Sequence, residues 1–207
     1  PFTFVATSSS LQWEGVKPVF ADIEKHSWCL APENIEAEIT HNTRAIVPVH
    51  VFGNVGEIDK LCEISKKYGL KVVEDAAEGL CSYYKKKHVG NFGDLGILSF
   101  NANKIITTGS GGAIICNSKK LSLKIRHLTS TAKIPHMWEF LHDEIGWNYK
   151  MNNLSSALGY AQIKNINKII KLKNNLTKRY KKNLKKYKDL NFFNQPLNCL
   201  SNKDRKS

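Results

Sequence analysis

The chain has 207 residues, 42% of them apolar and 24% charged, with a formal net charge of +13. That size and apolar share can bury a real core, so the chain is read as one globular domain plus an appendage. Its most apolar stretches, AIVPVHVFG at 45–53 and LGILSF at 95–100, are too short to span a bilayer, and no charged segment followed by an apolar run opens the chain. The expectation is a soluble, cytoplasmic protein with no membrane partner. Cysteines 29, 62, 81, 116 and 199 make no CxxC pair and no Cys/His metal spacing, which fits a reducing compartment and points to no metal site.

The chain opens on Pro1 and enters FTFVAT, which reads as a strand already under way; with the polar tail SNKDRKS, this leads us to expect a segment of a longer protein, truncated at both ends. KPVFAD (17–22) reads as a short strand. Pro32 stands where a first helical residue would, and ENIEAEI continues a helix with Ile35 and Ile39 four apart. TRAIVPVHV (43–51) is β-branched and reads as a buried strand. In EIDKLCEISKKYG, Ile58, Leu61, Cys62 and Ser65 mark one helix face and Gly69 a left-handed stop. LKVVED (70–75) is again a strand, and LGILSF and GAIICNS (112–118) are two more. The strand–helix alternation implies an α/β fold with a mostly parallel sheet flanked by helices.

The last periodic stretch, KIIKLKNNLTKRYKKNLKKYKDL (168–190), spaces Ile169, Ile170, Leu172, Leu176, Tyr180, Leu184 and Tyr187 at mostly three- and four-residue steps. It is an amphipathic helix that concentrates the lysine excess on a solvated face. Arginine occurs at positions 44, 126, 179 and 205 alone, and aromatics are not interleaved as a base-stacking platform requires, so no nucleic-acid partner is expected. The expected division is 1–160 as the large domain and 161–207 as the basic helix leading into a smaller one.

In open α/β sheets, chemistry gathers at the carboxyl edge. Asp75 ends one strand and Lys104 follows another, ahead of TTGSGG (107–112), whose small residues admit close approach of a ligand. Singly, Asp75 reads as a helix cap or loop acid and Lys104 as one lysine among many. Together they can answer the demands of pyridoxal phosphate, an amine for its aldehyde, an acid for its ring nitrogen, and hydroxyls or amides for its phosphate, which spacing alone leaves as one reading among several.

VVEDAAEGLCSYYKKKHVGNFGDLGILSFNANKIITTGSGGAIICN (72–117) resembles the DegT/StrS family of nucleotide-sugar aminotransferases, fold-type I pyridoxal-phosphate enzymes. The similarity extends through FTFVAT, KPVFADIE, IEAEITHNTRAIVPVHVFGN and HDEIGWNYKMNNLSSALGYAQI. The resemblance implies the large domain of that fold, with Lys104 in SFNANK as the covalent anchor of the cofactor and the base of proton transfer. It also implies Asp75 at the pyridine nitrogen, Glu78 near the ring hydroxyl, Ser99 on the phosphate and Phe4 stacked on the ring. Asn148 in GWNYK would reach the phosphate of a neighbouring subunit, implying a homodimer with shared active sites. GWNYK carries Lys150 where the family commonly has arginine, which keeps the charge and loses the planar fork.

IEKHSWCLAPENIE and WEFLHDEIGWNYKMNNLSSALG look most like the bacillosamine and legionaminic-acid branch. The implied reaction moves an amino group from glutamate to a nucleoside-diphosphate-linked 4-keto-6-deoxy sugar for glycan precursors. Two alternatives remain at this point: a sugar dehydratase or regulatory relative, and an inactive basic binding fragment. Lys104 counts against the dehydratase, in which histidine replaces that lysine. His50, His136 and His142 receive no role.

Overall fold

A computed structural model describes residues 1–203; of the tail SNKDRKS, residues 204 to 207 lie outside the described residues, while Ser201 and Asn202 are buried. The central sheet has the order β1-β2-β5-β6, with β1 Ala45–Ile46, β2 Lys71–Asp75, β5 Leu95–Ser99 and β6 Gly112–Cys116. β1, β2 and β5 run parallel, and β6 is antiparallel to β5, so the sheet is mostly parallel, as expected. Between β1 and β2 runs α2, Ile58–Lys67, which turns Ile58, Leu61 and Ser65 inward as its periodicity predicts. Gly69, at φ +67°, ends it in the left-handed conformation that glycine adopts without steric cost. The core gathers Ile46, Val55, Ile58, Leu61, Val72, Ala76, Val89 and Leu98 between sheet and helix. Fully burying a side chain such as Leu61 contributes about 1.5–3 kcal/mol.

A smaller antiparallel sheet, β4-β3-β9, joins β3 Tyr83–Tyr84 to β4 Lys87–His88 and β9 Cys199–Leu200. After β6 come α3 Lys119–Leu128, a hairpin of β7 Lys133–Ile134 and β8 Leu141–His142, then α4 Asn153–Lys164 and α5 Ile166–Leu184. Side-chain oxygens of Ser118 and Asn152 cap α3 and α4 by accepting from Leu121 N and Ser155 N. The lysine-rich helix forms but ends at Leu184, short of the expected 190 and of Tyr187, and no residue of α5 is buried, so its apolar stripe is only partly covered.

Four readings of the sequence change. FTFVAT is not a strand: the chain turns at once into α1, Ala6–Trp13, whose first turn bonds locally through Thr7 N to Phe4 O and Ser9 N to Val5 O. KPVFAD forms no strand either, because among the described residues no strand lies beside it to supply a ladder, and Val19 and Phe20 are exposed. PENIEAE makes two 3-10 turns, Pro32–Asn34 and Glu36–Glu38, instead of one α-helix. The 43–51 strand is shortened to Ala45–Ile46 with a further bridge from Val49 to Asp75, because Pro48 between them has no N–H to donate.

Candidate active site

The two faces of β2 do different work. Side chains alternate along a strand, so Val72 and Glu74 point to the buried side while Asp75 closes the carboxyl edge. Asp75 Oδ2 accepts from Thr7 Oγ1 of α1 at 2.6 Å, and Oδ1 accepts from Ala77 N at 3.1 Å. Two donors from different segments thus fix the plane of that carboxylate. The chain then turns through Gly79 N to Ala76 O and presents Glu78. Glu78 Oε2 accepts from Phe52 N at 2.8 Å, and its Oε1 lies 3.4 Å from Lys104 Nζ. With Lys104 12% and Glu78 16% exposed, this ion pair is largely enclosed.

Lys104 is placed by the loop that joins β5 to β6. Its amide donates to Asn101 O, Thr108 N donates to Phe100 O, and Phe100 N donates to Gly111 O. Ile105 and Ile106, next in the chain, are buried and root the loop in the protein. Gln162 of α4 grips it from outside, accepting from Thr107 N at 3.0 Å and donating to Thr107 O at 2.6 Å. Ser99 ends β5, two residues beyond the Asp75–Ile97 register pair, and its Oγ accepts from Asn101 N at 3.3 Å.

Asp75, Glu78, Ser99 and Lys104 therefore gather at the carboxyl edge of adjacent strands. The two other candidates are exposed. Phe4 is 75% exposed just before α1. Asn148 is exposed on the segment before α4, where its backbone bridges to Ser130. Of the three histidines, His136 accepts from Glu139 N and lies 3.9 Å from the Glu139 carboxylate, and His142 meets Thr131 O across the hairpin, all on the exposed surface.

His50 is different, and with it comes a residue that sequence reasoning passed over. His50 Nε2 lies 2.9 Å from Glu74 Oε2, and the pair is 2% and 0% exposed. Glu74 also accepts from Gly90 N at 2.7 Å, Phe92 N at 2.6 Å and Gly93 N at 2.8 Å. Burial pushes the Glu74 carboxyl up, but the His50 bond and charge and the Gly93 and Gly90 amides outweigh it and hold it below the usual carboxylate value. Gly96, opposite Glu74 in β5, permits this: a Cβ there would come within 2.2 Å of Gly90 O, so only glycine lets that loop close over the carboxylate. The available signal was an acid in phase with the buried positions of VVED.

Elsewhere, His127, Asp143 and Glu144 converge near the hairpin, with Lys124 against Glu144, as a surface charge cluster. No described helix is long and apolar enough to cross a membrane.

Residues 1–198 match the DegT/DnrJ/EryC1/StrS aminotransferase family. GDP-perosamine synthase of Escherichia coli O157:H7 is 37% identical over 182 residues, covering 88% of this chain and 50% of that protein. The dTDP-4-amino-4,6-dideoxy-D-glucose transaminase of Shigella dysenteriae is 38% identical over 185 residues, covering 89% and 50%. Among solved structures, Helicobacter pylori PseC, an aminotransferase involved in the biosynthesis of pseudoaminic acid, superposes with a TM-score of 0.89 at 30% identity, covering 98% of this chain and 54% of that one. The chain spans about half the length of the curated relatives it matches. By sequence over nearly its whole length, and by fold, the chain belongs to the DegT/DnrJ/EryC1/StrS aminotransferase family.

Proposed function

We propose that this chain is the cofactor-binding part of a pyridoxal-phosphate-dependent aminotransferase that moves an amino group from glutamate to a nucleoside-diphosphate-linked 4-keto-6-deoxy sugar, for cell-surface glycan precursors in the cytoplasm. The observation that carries this reading is the enclosed Lys104–Glu78 pair beside Asp75 at the sheet's carboxyl edge, in a chain of an aminotransferase family. The donor set fits the cofactor: an amine for an aldehyde, a fixed carboxylate for a ring nitrogen, and the Ser99 hydroxyl near a phosphate. Bound there, pyridoxal phosphate supplies an electron sink for the carbon that gains or loses nitrogen.

The chain's own residues do the rest. Lys104 Nζ binds the cofactor and, once released, takes and returns a proton. Asp75, its plane set by Thr7 and Ala77, holds a proton on the ring nitrogen. Glu78, facing the lysine, would orient the ring hydroxyl, Ser99 would hold the phosphate and Phe4 would cover the ring. Asn148, on its exposed segment, reaches the phosphate site of a second copy in a homodimer with shared active sites. Residues 1–160 belong to the large domain, and 161–207 lead into a smaller one.

Adding pyridoxal phosphate to the purified protein is expected to give the visible band of lysine-bound cofactor, glutamate to bleach it, and Lys104→Ala to abolish it. A band unchanged in Lys104→Ala sinks the assignment. Nucleotide keto-sugars offered to the glutamate-treated protein then identify the acceptor by return of the band.

A further inference from the structure

Asp75, Glu78 and Lys104 account for contacts to a cofactor but not for the most enclosed polar pair in the sheet, Glu74 and His50. Desolvating an acid against an imidazole is costly unless every lone pair is met, and Glu74 meets that condition with four donors. What the pair holds is visible from the backbone of His50. Its N–H donates to Asp75 O at 3.0 Å, while Asp75 N donates to Pro48 O at 2.8 Å, tying this segment to the end of β2. Its carbonyl accepts from Gly53 N at 3.1 Å, closing a turn in which Phe52 adopts φ +53°. A non-glycine residue adopts that left-handed conformation only against steric crowding of its Cβ, so the surroundings must impose it. The turn aims the Phe52 amide at Glu78 Oε2, at 2.8 Å, and the other oxygen of Glu78 faces Lys104 Nζ at 3.4 Å.

We propose that Glu74 and His50 are positioning residues: their buried pair holds the 50–53 turn in its left-handed form, and through the Phe52 amide it fixes Glu78 against Lys104. Among the described residues neither hydrogen-bonds nor ion-pairs with Lys104, so they act through Glu78. The consequence for cofactor binding rests on the function proposed above, whereas the relay is a property of the cofactor-free chain. The competing explanation is that the aromatic packing of Phe52, with ring centroids 5.6 Å from Phe2 and 6.0 Å from Trp28, imposes the turn unaided.

Residue-resolved amide exchange on the cofactor-free protein separates the two. Glu74→Gln and His50→Leu are expected to speed exchange at the Phe52 amide, which neither side chain contacts, by about tenfold or more. His50→Gln, which keeps a side-chain N–H, is expected to restore protection. If Glu74→Gln does not fold, the contrast between His50→Leu and His50→Gln decides. Phe52 protection unchanged in folded His50→Leu, or lost only in Phe2→Ala, overturns the relay. In protein loaded with pyridoxal phosphate, the visible-band fraction at fixed pH should fall in His50→Leu and recover in His50→Gln. Faster exchange at Phe52 in a protein whose wild type forms no band supports the relay and refutes the proposed function instead.

Discussion

Glu74 lies in the sheet with no exposed surface and four donors on its two oxygens, whereas Trp138, between β7 and β8, and Leu154, in the first turn of α4, leave 82% and 87% of theirs in water. Met137, Phe140, Ile145 and Tyr149 join them, so the segment from 137 to 154 turns an almost unbroken set of large apolar side chains outward. The contrast shows where this chain is self-sufficient. A buried carboxylate is tolerated because groups of the same chain saturate it, while an apolar surface of that extent marks a place for something else to cover. The first region holds the candidate site together; the second supports the proposal that a neighbouring copy completes it.

The largest expected effect comes from emptying the first region. Glu74→Ala leaves the amides of Gly90, Phe92 and Gly93 and the ring of His50 without their acceptor, and is expected to cost about 3–5 kcal/mol in urea unfolding. A loss under about 1 kcal/mol would class the pair with surface ion pairs and erase the contrast.

The acid limb sharpens the same point more gently. Because the folded-state value of Glu74 lies below its ordinary 4.5, the carboxylate adds stability that is fully present above that pH and is lost as pH falls through the depressed value. The unfolding free energy of the wild type in urea should therefore drop more steeply below about pH 4.5 than that of Glu74→Gln, by about 1.4 kcal/mol in total for each unit by which folding lowers the carboxyl's pKa. Parallel acid limbs would mean that other carboxylates, Asp94 among them, carry the dependence.

The smallest effect on stability belongs to the second region. Trp138→Ser should change urea unfolding of the isolated chain by less than about 0.5 kcal/mol, yet weaken self-association in sedimentation equilibrium. Association that survives the substitution unchanged would remove Trp138 from the interface.

Much of the sheet was legible because its signals are local. α2 shows its buried face in Ile58, Leu61 and Ser65, and β2, β5 and β6 are apolar runs between turn residues. FTFVAT and KPVFAD have strand composition too, but composition does not supply a neighbouring strand, and the first bonds to itself as α1. The gathering of Asp75 and Lys104 at one edge follows from strand order, and their roles from family resemblance. The contacts around them were not legible: Thr7 meets Asp75 across 68 positions, and Phe52 and Lys104 each reach Glu78 across 26. Nothing in the spacing of His50 marked it off from His136 and His142; only the folded chain sets it against Glu74.

By itself, the sequence determined the periodic elements, the small-residue loop after Lys104 and the family, because each is written in residues close together or in a fixed order. Only the tertiary structure decided which acids are buried, which amides reach them and which apolar side chains stay in water. Strand pairing and the saturation of a buried charge depend on groups brought together from distant parts of the chain, and no local pattern encodes which partner arrives.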